Sequence, residues 1–200
     1  SGNIVKSLYF KPCITWSLVT SYKPSFRIID DYNHVMGDAG PIVSCSLDNQ
    51  LYLLGLLNTV YVESVASIIA PTINFSNGVA GSIPIIIDEN QRSNVEDMSK
   101  NCVSLSRTDW DSFETSWDFK ENELVRVFKE RNTPDLKSTV YAYEREWDEK
   151  FEQLRNNEEE LNRLFIEIYG LQDERSCEVR EDEVTILQQG EIFYTPAPGS

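Results

Sequence analysis

Asp148-Glu149-Lys150 carries the letters of a D/E-x-K element. In a nuclease-like site such carboxylates would hold a divalent cation and the lysine would steady the charge that develops on the phosphate. The string lies in a helical period, where residues two apart do not share a face, so a solvated helix surface is the simpler reading. His34, the single histidine, sits near Asp30, Asp31 and Asp38. Carboxylates beside an imidazole could do acid–base work; a solvated or capping loop histidine is the plainer alternative. One histidine without a partner signature leaves no Ser or Cys triad. No G-x-x-x-x-G-K-[ST] or G-x-S-x-G string occurs, which removes a P-loop and a nucleophile elbow. Cys13, Cys45, Cys102 and Cys177 are scattered without a C-x-x-C pair, so no zinc site is expected. Such thiols fit small buried hydrophobes in a reducing cytoplasm.

One group of residues does suggest binding. Lys6, Lys11, Lys23 and Arg27 interleave with Tyr9, Trp16, Tyr22 and Phe26, and Ser17, Thr20 and Ser21 add hydroxyl donors. Cations and hydroxyls of this kind contact phosphates. Lys11, Ser21, Tyr22, Lys23 and Arg27 are therefore the candidate DNA-contacting residues. An ordinary folded surface with core aromatics would show the same letters. The formal charge of -15 argues against a stand-alone nucleic-acid binder, because such domains neutralise phosphates. It leaves room for one DNA-facing surface in a larger, more basic protein.

The elements that would position these residues fall into two grammars. Hydrophobic content of 40% and aromatic content of 11%, with 4 Trp, exclude a disordered chain. No apolar run approaches the roughly 20 residues of a membrane span, and no secretory signal opens the chain. Up to about Ile87 the sequence is apolar and punctuated by Ser, Gly and Pro. "SFRIIDD" and "PIVSCS" read as short strands. "QLYLLGLLNTVYVESVASII" reads as one buried helix, with Leu53, Leu56, Leu57, Val60 and Tyr61 on a 3.6-residue period and Pro71 as its stop. Asn77-Gly78 signals a turn before the β-branched run "IPIII".

Beyond Asp88 the chain turns acidic, with "DENQRSNVEDMSKN" read as a polar connection. Thr108 and Asp111 form a capping box for a helix that sets Trp110, Phe113 and Trp117 on one face. Thr133-Pro134 announces another helix. In it Val140, Trp147, Leu154, Leu161 and Ile168 recur every seven residues, and Tyr143, Phe151 and Phe165 supply much of the complementary row. Trp147, Phe151, Leu154, Leu161, Phe165 and Ile168 thus make a packing or interaction face of coiled-coil type. Glu144 and Glu158 interrupt it, and Asn157 with Glu160 could open a second helix. Glu158 to Glu160 read as a solvated helix start, and Gly170 suits a C′ position. The expected fold is α+β: part of a mixed domain over residues 1–95, a long-helix region over 96–175, and an acidic tail, disordered or truncated, over 176–200.

Longer strings carry a resemblance. "FKPCITWSLVTSYKPSFRII" (10–29), "VMGDAGPIV" (35–43), "YLLGLLNT" (52–59), "PTINFSNGVAGSIPII" (71–86), "SRTDWDSFETSWDF" (106–119) and "NEEELNRLFIEIYGL" (157–171) occur in family order. Together they resemble the target-recognition and adjoining helical region of adenine-specific DNA methyltransferases of the PglX/BrxX type, from BREX phage-defence systems related to type IIG restriction-modification enzymes. "YLLGLLN" and "INF...G...IPI" are also similar to target-recognition domains of type I specificity subunits. The chain departs from the family at Cys13, where the string has Gly, and after "GLQDE", where it continues "RSCEV".

The resemblance implies a parent enzyme that methylates N6 of adenine in double-stranded DNA with S-adenosylmethionine, flipping the base out of the stack to reach it. The family's N-P-P-Y string and its Gly-containing cofactor motif are both absent from these 200 residues. The resemblance thus implies a non-catalytic recognition and scaffold fragment without a cofactor of its own, inactive alone, and partnered with the methyltransferase domain and other BREX proteins. The alternative is a helical protein-interaction module that assembles with other defence subunits.

Overall fold

The computed structural model describes residues 9–19, 24–30, 32–35, 40–69, 75–184 and 186. Strands β1 (Cys13–Trp16), β2 (Phe26–Ile29) and β3 (Ile42–Val43) form an antiparallel sheet in the order β2-β1-β3. Helices α1 (Leu47–Leu57), α2 (Val60–Ile69), α3 (Asn77–Ala80), α4 (Arg92–Asp111), α5 (Glu123–Arg131) and α6 (Leu136–Tyr169) follow, then a short 3-10 turn at Glu181–Glu183. The fold is α+β. It divides into two compact units: Ser1–Lys100 with Glu158–Glu178, and Asn101–Asn157 with Val179–Ser200. The chain thus leaves the first unit inside α4 and returns to it inside α6.

In the first unit the sheet buries one face. Trp16 pairs with Phe26 across β1 and β2, and both rings meet Phe75, with centroids 5.2 to 6.0 Å apart. Trp16 Nε1 donates to the Phe75 carbonyl at 2.7 Å, which satisfies the indole N–H that burial would otherwise orphan.

The apolar run expected as one helix breaks at Asn58-Thr59 into α1 and α2, bent by 76°. Three bonds made by the Asn58 side chain explain the break. Its Oδ1 accepts from Phe26 N at 3.0 Å, and its Nδ2 donates to Phe26 O and Leu54 O, both at 3.1 Å. The side-chain amide thereby stands in for a strand partner at Phe26. Asn162 Oδ1 accepts from Val60 N at 3.0 Å, capping the new helix from a distant part of the chain. Gly55 is required at its place: a Cβ there would lie 2.4 Å from Ser99 Oγ and 3.3 Å from Val95 Cγ1.

The "IPIII" run forms no strand. Residues 84–88 extend instead along three tyrosines. Tyr61 and Tyr169 donate to Pro84 O at 3.0 and 2.9 Å, Tyr169 accepts from Ile86 N at 2.9 Å, and Tyr52 accepts from Asp88 N at 3.1 Å. Tyr61 and Tyr169 stack at 3.7 Å, and Tyr52 meets Phe165 edge-on at 5.5 Å. Hydroxyls here replace a neighbouring strand's backbone.

The polar stretch expected as a connection is the N-terminal half of α4. Its apolar positions, Val95, Met98, Cys102, Val103, Leu105 and Trp110, are outnumbered by polar ones, and Arg92 ties its start to Glu89 and Glu96. Thr108 opens no helix: it lies inside α4, where its hydroxyl donates to Ser104 O at 2.8 Å. Because α4 ends at Asp111, Phe113 and Trp117 fall in the following turns.

In the second unit, α6 begins at Leu136, past the Pro134 that would open it as N1. Asp135 caps it, accepting from Ser138 N at 2.8 Å. α6 then continues unbroken for 34 residues, so Asn157 starts no new helix. At its end Gly170 adopts φ 69. Leu171 N donates to Ile166 O and Gly170 N to Glu167 O, the paired bonds of a Schellman cap. The core of the second unit joins Leu105, Phe151 and Leu154 to Val179, Val184 and Ile186. Part of the stretch read as an acidic tail is therefore core, while residues 187–200 lie outside the described residues.

Candidate nucleic-acid interface

Strand alternation decides what Arg27 does. Phe26, opposite Trp16, points into the core, so Arg27, opposite Thr15, points to the other face and is exposed. Lys11 is exposed just ahead of β1, and Ser17 just behind it. Ser21, Tyr22 and Lys23, with Lys6 and Thr20, lie outside the described residues. Two of the interleaved aromatics belong to the core, since Trp16 and Phe26 are 2% and 4% exposed. The aromatic surface comes instead from residues the sequence does not single out: Phe10 at 55% and Tyr32 at 60% exposure. The adjacency of Phe10 to Lys11 is the available signal.

The remaining candidates for chemistry resolve differently. Lys150 donates to Glu146 Oε1 at 2.9 Å and lies 4.2 Å from the Trp147 ring centre, so the D-E-K lysine is engaged away from any metal. His34 is exposed, as is Asp30; Asp31 and Asp38 lie outside the described residues. Among the described residues no group of His, Cys, Asp or Glu could hold a metal ion. Burial pushes the Cys13 and Cys45 thiols up, away from the thiolate form that reacts. Among the described residues the antiparallel sheet has no strand–Gly turn–helix crossover of the kind that cradles a nucleotide cofactor.

The seven-residue row is inside the chain. Trp147, Phe151 and Leu154 are buried in the second unit, Leu161 and Phe165 in the first, and Ile168 is half-buried. Beside Trp147, Glu146 is held by Arg126, Arg131 and Lys150. Burial alone would raise its pKa, but hydrogen bonds from Lys150, Arg131 and Arg126 outweigh it and hold the carboxyl at about 2. A depressed carboxyl stabilises the fold above its unfolded pKa and loses that contribution as pH falls through the folded value. Glu146→Gln should therefore weaken the fold at neutral pH. The gap to wild type should close between about pH 4.5 and about pH 2 in urea unfolding; a gap constant across that range would contradict the network's role. Among the described residues no single helix is long and apolar enough to cross a membrane.

No protein-family model matches the chain. It is 33% identical over 180 residues to the adenine-specific methyltransferase PglX of Lacticaseibacillus casei (strain Zhang), covering 88% of this chain and 15% of that protein. It is 28% identical over 191 residues to the adenine-specific methyltransferase BrxX of Escherichia coli O9:H4 (strain HS), covering 94% of this chain and again 15% of the relative. Over most of its length the chain is thus similar to one segment, 15% of the whole, of each of these two adenine-specific methyltransferases.

Proposed function

We propose that this chain is the DNA-recognition and scaffold segment of an S-adenosylmethionine-dependent, site-specific DNA N6-adenine methyltransferase that acts in phage defence in the cytoplasm. The observation that carries the reading is the similarity along nearly the whole chain to one segment of two adenine-specific methyltransferases. The sequence holds no N-P-P-Y string; on this reading the flipped adenine, the cofactor and methyl transfer belong to the rest of the parent polypeptide. This segment's task is then to seat the duplex so that one adenine reaches that pocket. Lys11, Lys23 and Arg27 contact phosphate, with Ser21 and Tyr22 beside them. The acidic helices face protein rather than DNA, which reconciles a recognition role with the charge of -15.

Neutralising Lys11, Lys23 and Arg27 together in the parent enzyme tests this surface. Removing one cation from a phosphate lowers the salt slope of binding by about 0.9, so affinity at low salt should drop and its salt dependence flatten. Unchanged affinity, slope and methylation would remove these residues from the DNA surface. A second reading, an interaction module for other defence subunits, draws support from Trp110 and Trp117, which are 59% and 102% exposed. Because the Trp147–Leu154 row is buried, a partner would meet those aromatics and not the seven-residue seam.

A further inference from the structure

Phe10 has φ 56. An L residue with a bulky ring rarely adopts the left-handed region, and where it does the strain is often tied to a function. The turn into β1 does not need a phenylalanine: Gly or Asn would make it without strain. Folding does not reward the ring either, since it is 55% exposed. The conformation is nevertheless anchored. Phe10 N donates to His34 O at 3.1 Å, and the ring stands edge-on to Tyr9 at 6.5 Å. That bond brings the loop of residues 32–35 alongside. The β1–β2 pairing ends at Cys13↔Ile29, and the Phe10–His34 bond lies two residues out of that register. Tyr32 and Val35 are 60% and 52% exposed, and Lys11 and His34 are exposed beside them.

We infer that Phe10 and Tyr32 form a stacking surface for a nucleobase of DNA, with Lys11 on the adjoining phosphate. The inference rests on the DNA-recognition reading above and names what part of the DNA this end of the sheet takes. Two exposed rings suit the flat, uncharged face of a base. Bases present such faces where a step is unstacked by an inserted apolar side chain or where a neighbour has been flipped out.

The test uses the full-length polypeptide that contains this chain, bound to mixed-sequence duplex DNA carrying 5-iodouracil. Irradiation should cross-link the DNA to Phe10 or Tyr32, located by mass spectrometry of the peptides. Phe10→Gly accepts φ 56 without strain, so the variant should melt no lower than wild type. Its DNA affinity should fall about 5- to 150-fold, the loss expected of one stacked base, with the salt slope unchanged, and Phe10→Tyr should bind like wild type. Cross-links confined to other peptides, with Phe10→Gly binding like wild type, would overturn the stacking surface and leave DNA recognition standing. Failure of the wild-type polypeptide to bind DNA would overturn both.

Discussion

Phe165→Ala is expected to lower the stability of the first unit by about 3–5 kcal/mol, the range for removing a buried phenyl ring and leaving its cavity. Phe165 is fully buried and meets Tyr52 edge-on at 5.5 Å. The consequence should extend past the cavity. Tyr52 is the hydroxyl that receives Asp88 N at 3.1 Å and donates to Ile86 O at 3.3 Å, so loosening its ring loosens the extended residues 84–88. Urea unfolding followed by near-UV circular dichroism reads the stability, and hydrogen exchange at Ile86 and Asp88 reads the segment. A loss below about 1 kcal/mol, typical of a surface substitution, would mean that Phe165 is not the core ring described.

The second large effect belongs to Trp147, which is 1% exposed. Trp147→Ala should cost about 3–5 kcal/mol through the cavity, and a further ~0.5–2 kcal/mol through loss of the Lys150 cation over the ring. Trp147→Phe should cost clearly less. It keeps an aromatic face under Lys150 and removes an indole N–H that has no hydrogen-bond partner among the described residues. Thermal unfolding of the two variants separates these contributions. Equal losses in both would show that an aromatic face under Lys150 contributes nothing at this position.

These two residues lie on the same helix, and its seven-residue apolar pattern is the most legible feature of the sequence. The apolar spacing is dense enough to survive Glu144 and Glu158, and the stop at Gly170 depends only on local backbone. What cannot be read is what depends on distant partners. α1 and α2 break because the Asn58 side chain takes the place of a strand beside Phe26 and because Asn162 caps Val60. No local pattern announces either bond. "IPIII" is a β-branched run that favours extended backbone, and tyrosine hydroxyls from three helices, which the run itself does not announce, satisfy that backbone. Polarity hides α4: Ser99, small enough to sit against Gly55, occupies a buried position that periodicity expects to be apolar.

For the candidate interface, the letters indicate cations and aromatics in the right region but not which rings are free. Trp16 and Phe26 go to the core and Phe10 and Tyr32 to the surface. Only strand alternation and the backbone angle at Phe10 separate the two sets.

The central claim is that this segment selects the DNA site while another part of the polypeptide performs the transfer. The direct measurement exchanges this segment, in the full-length enzyme, for the matching segment of a relative that methylates a different sequence. The methylated adenines are then mapped across a genome. If the segment reads DNA, methylation should move to the donor's site. If methylation remains at the original site at full level, recognition resides elsewhere and the account is contradicted.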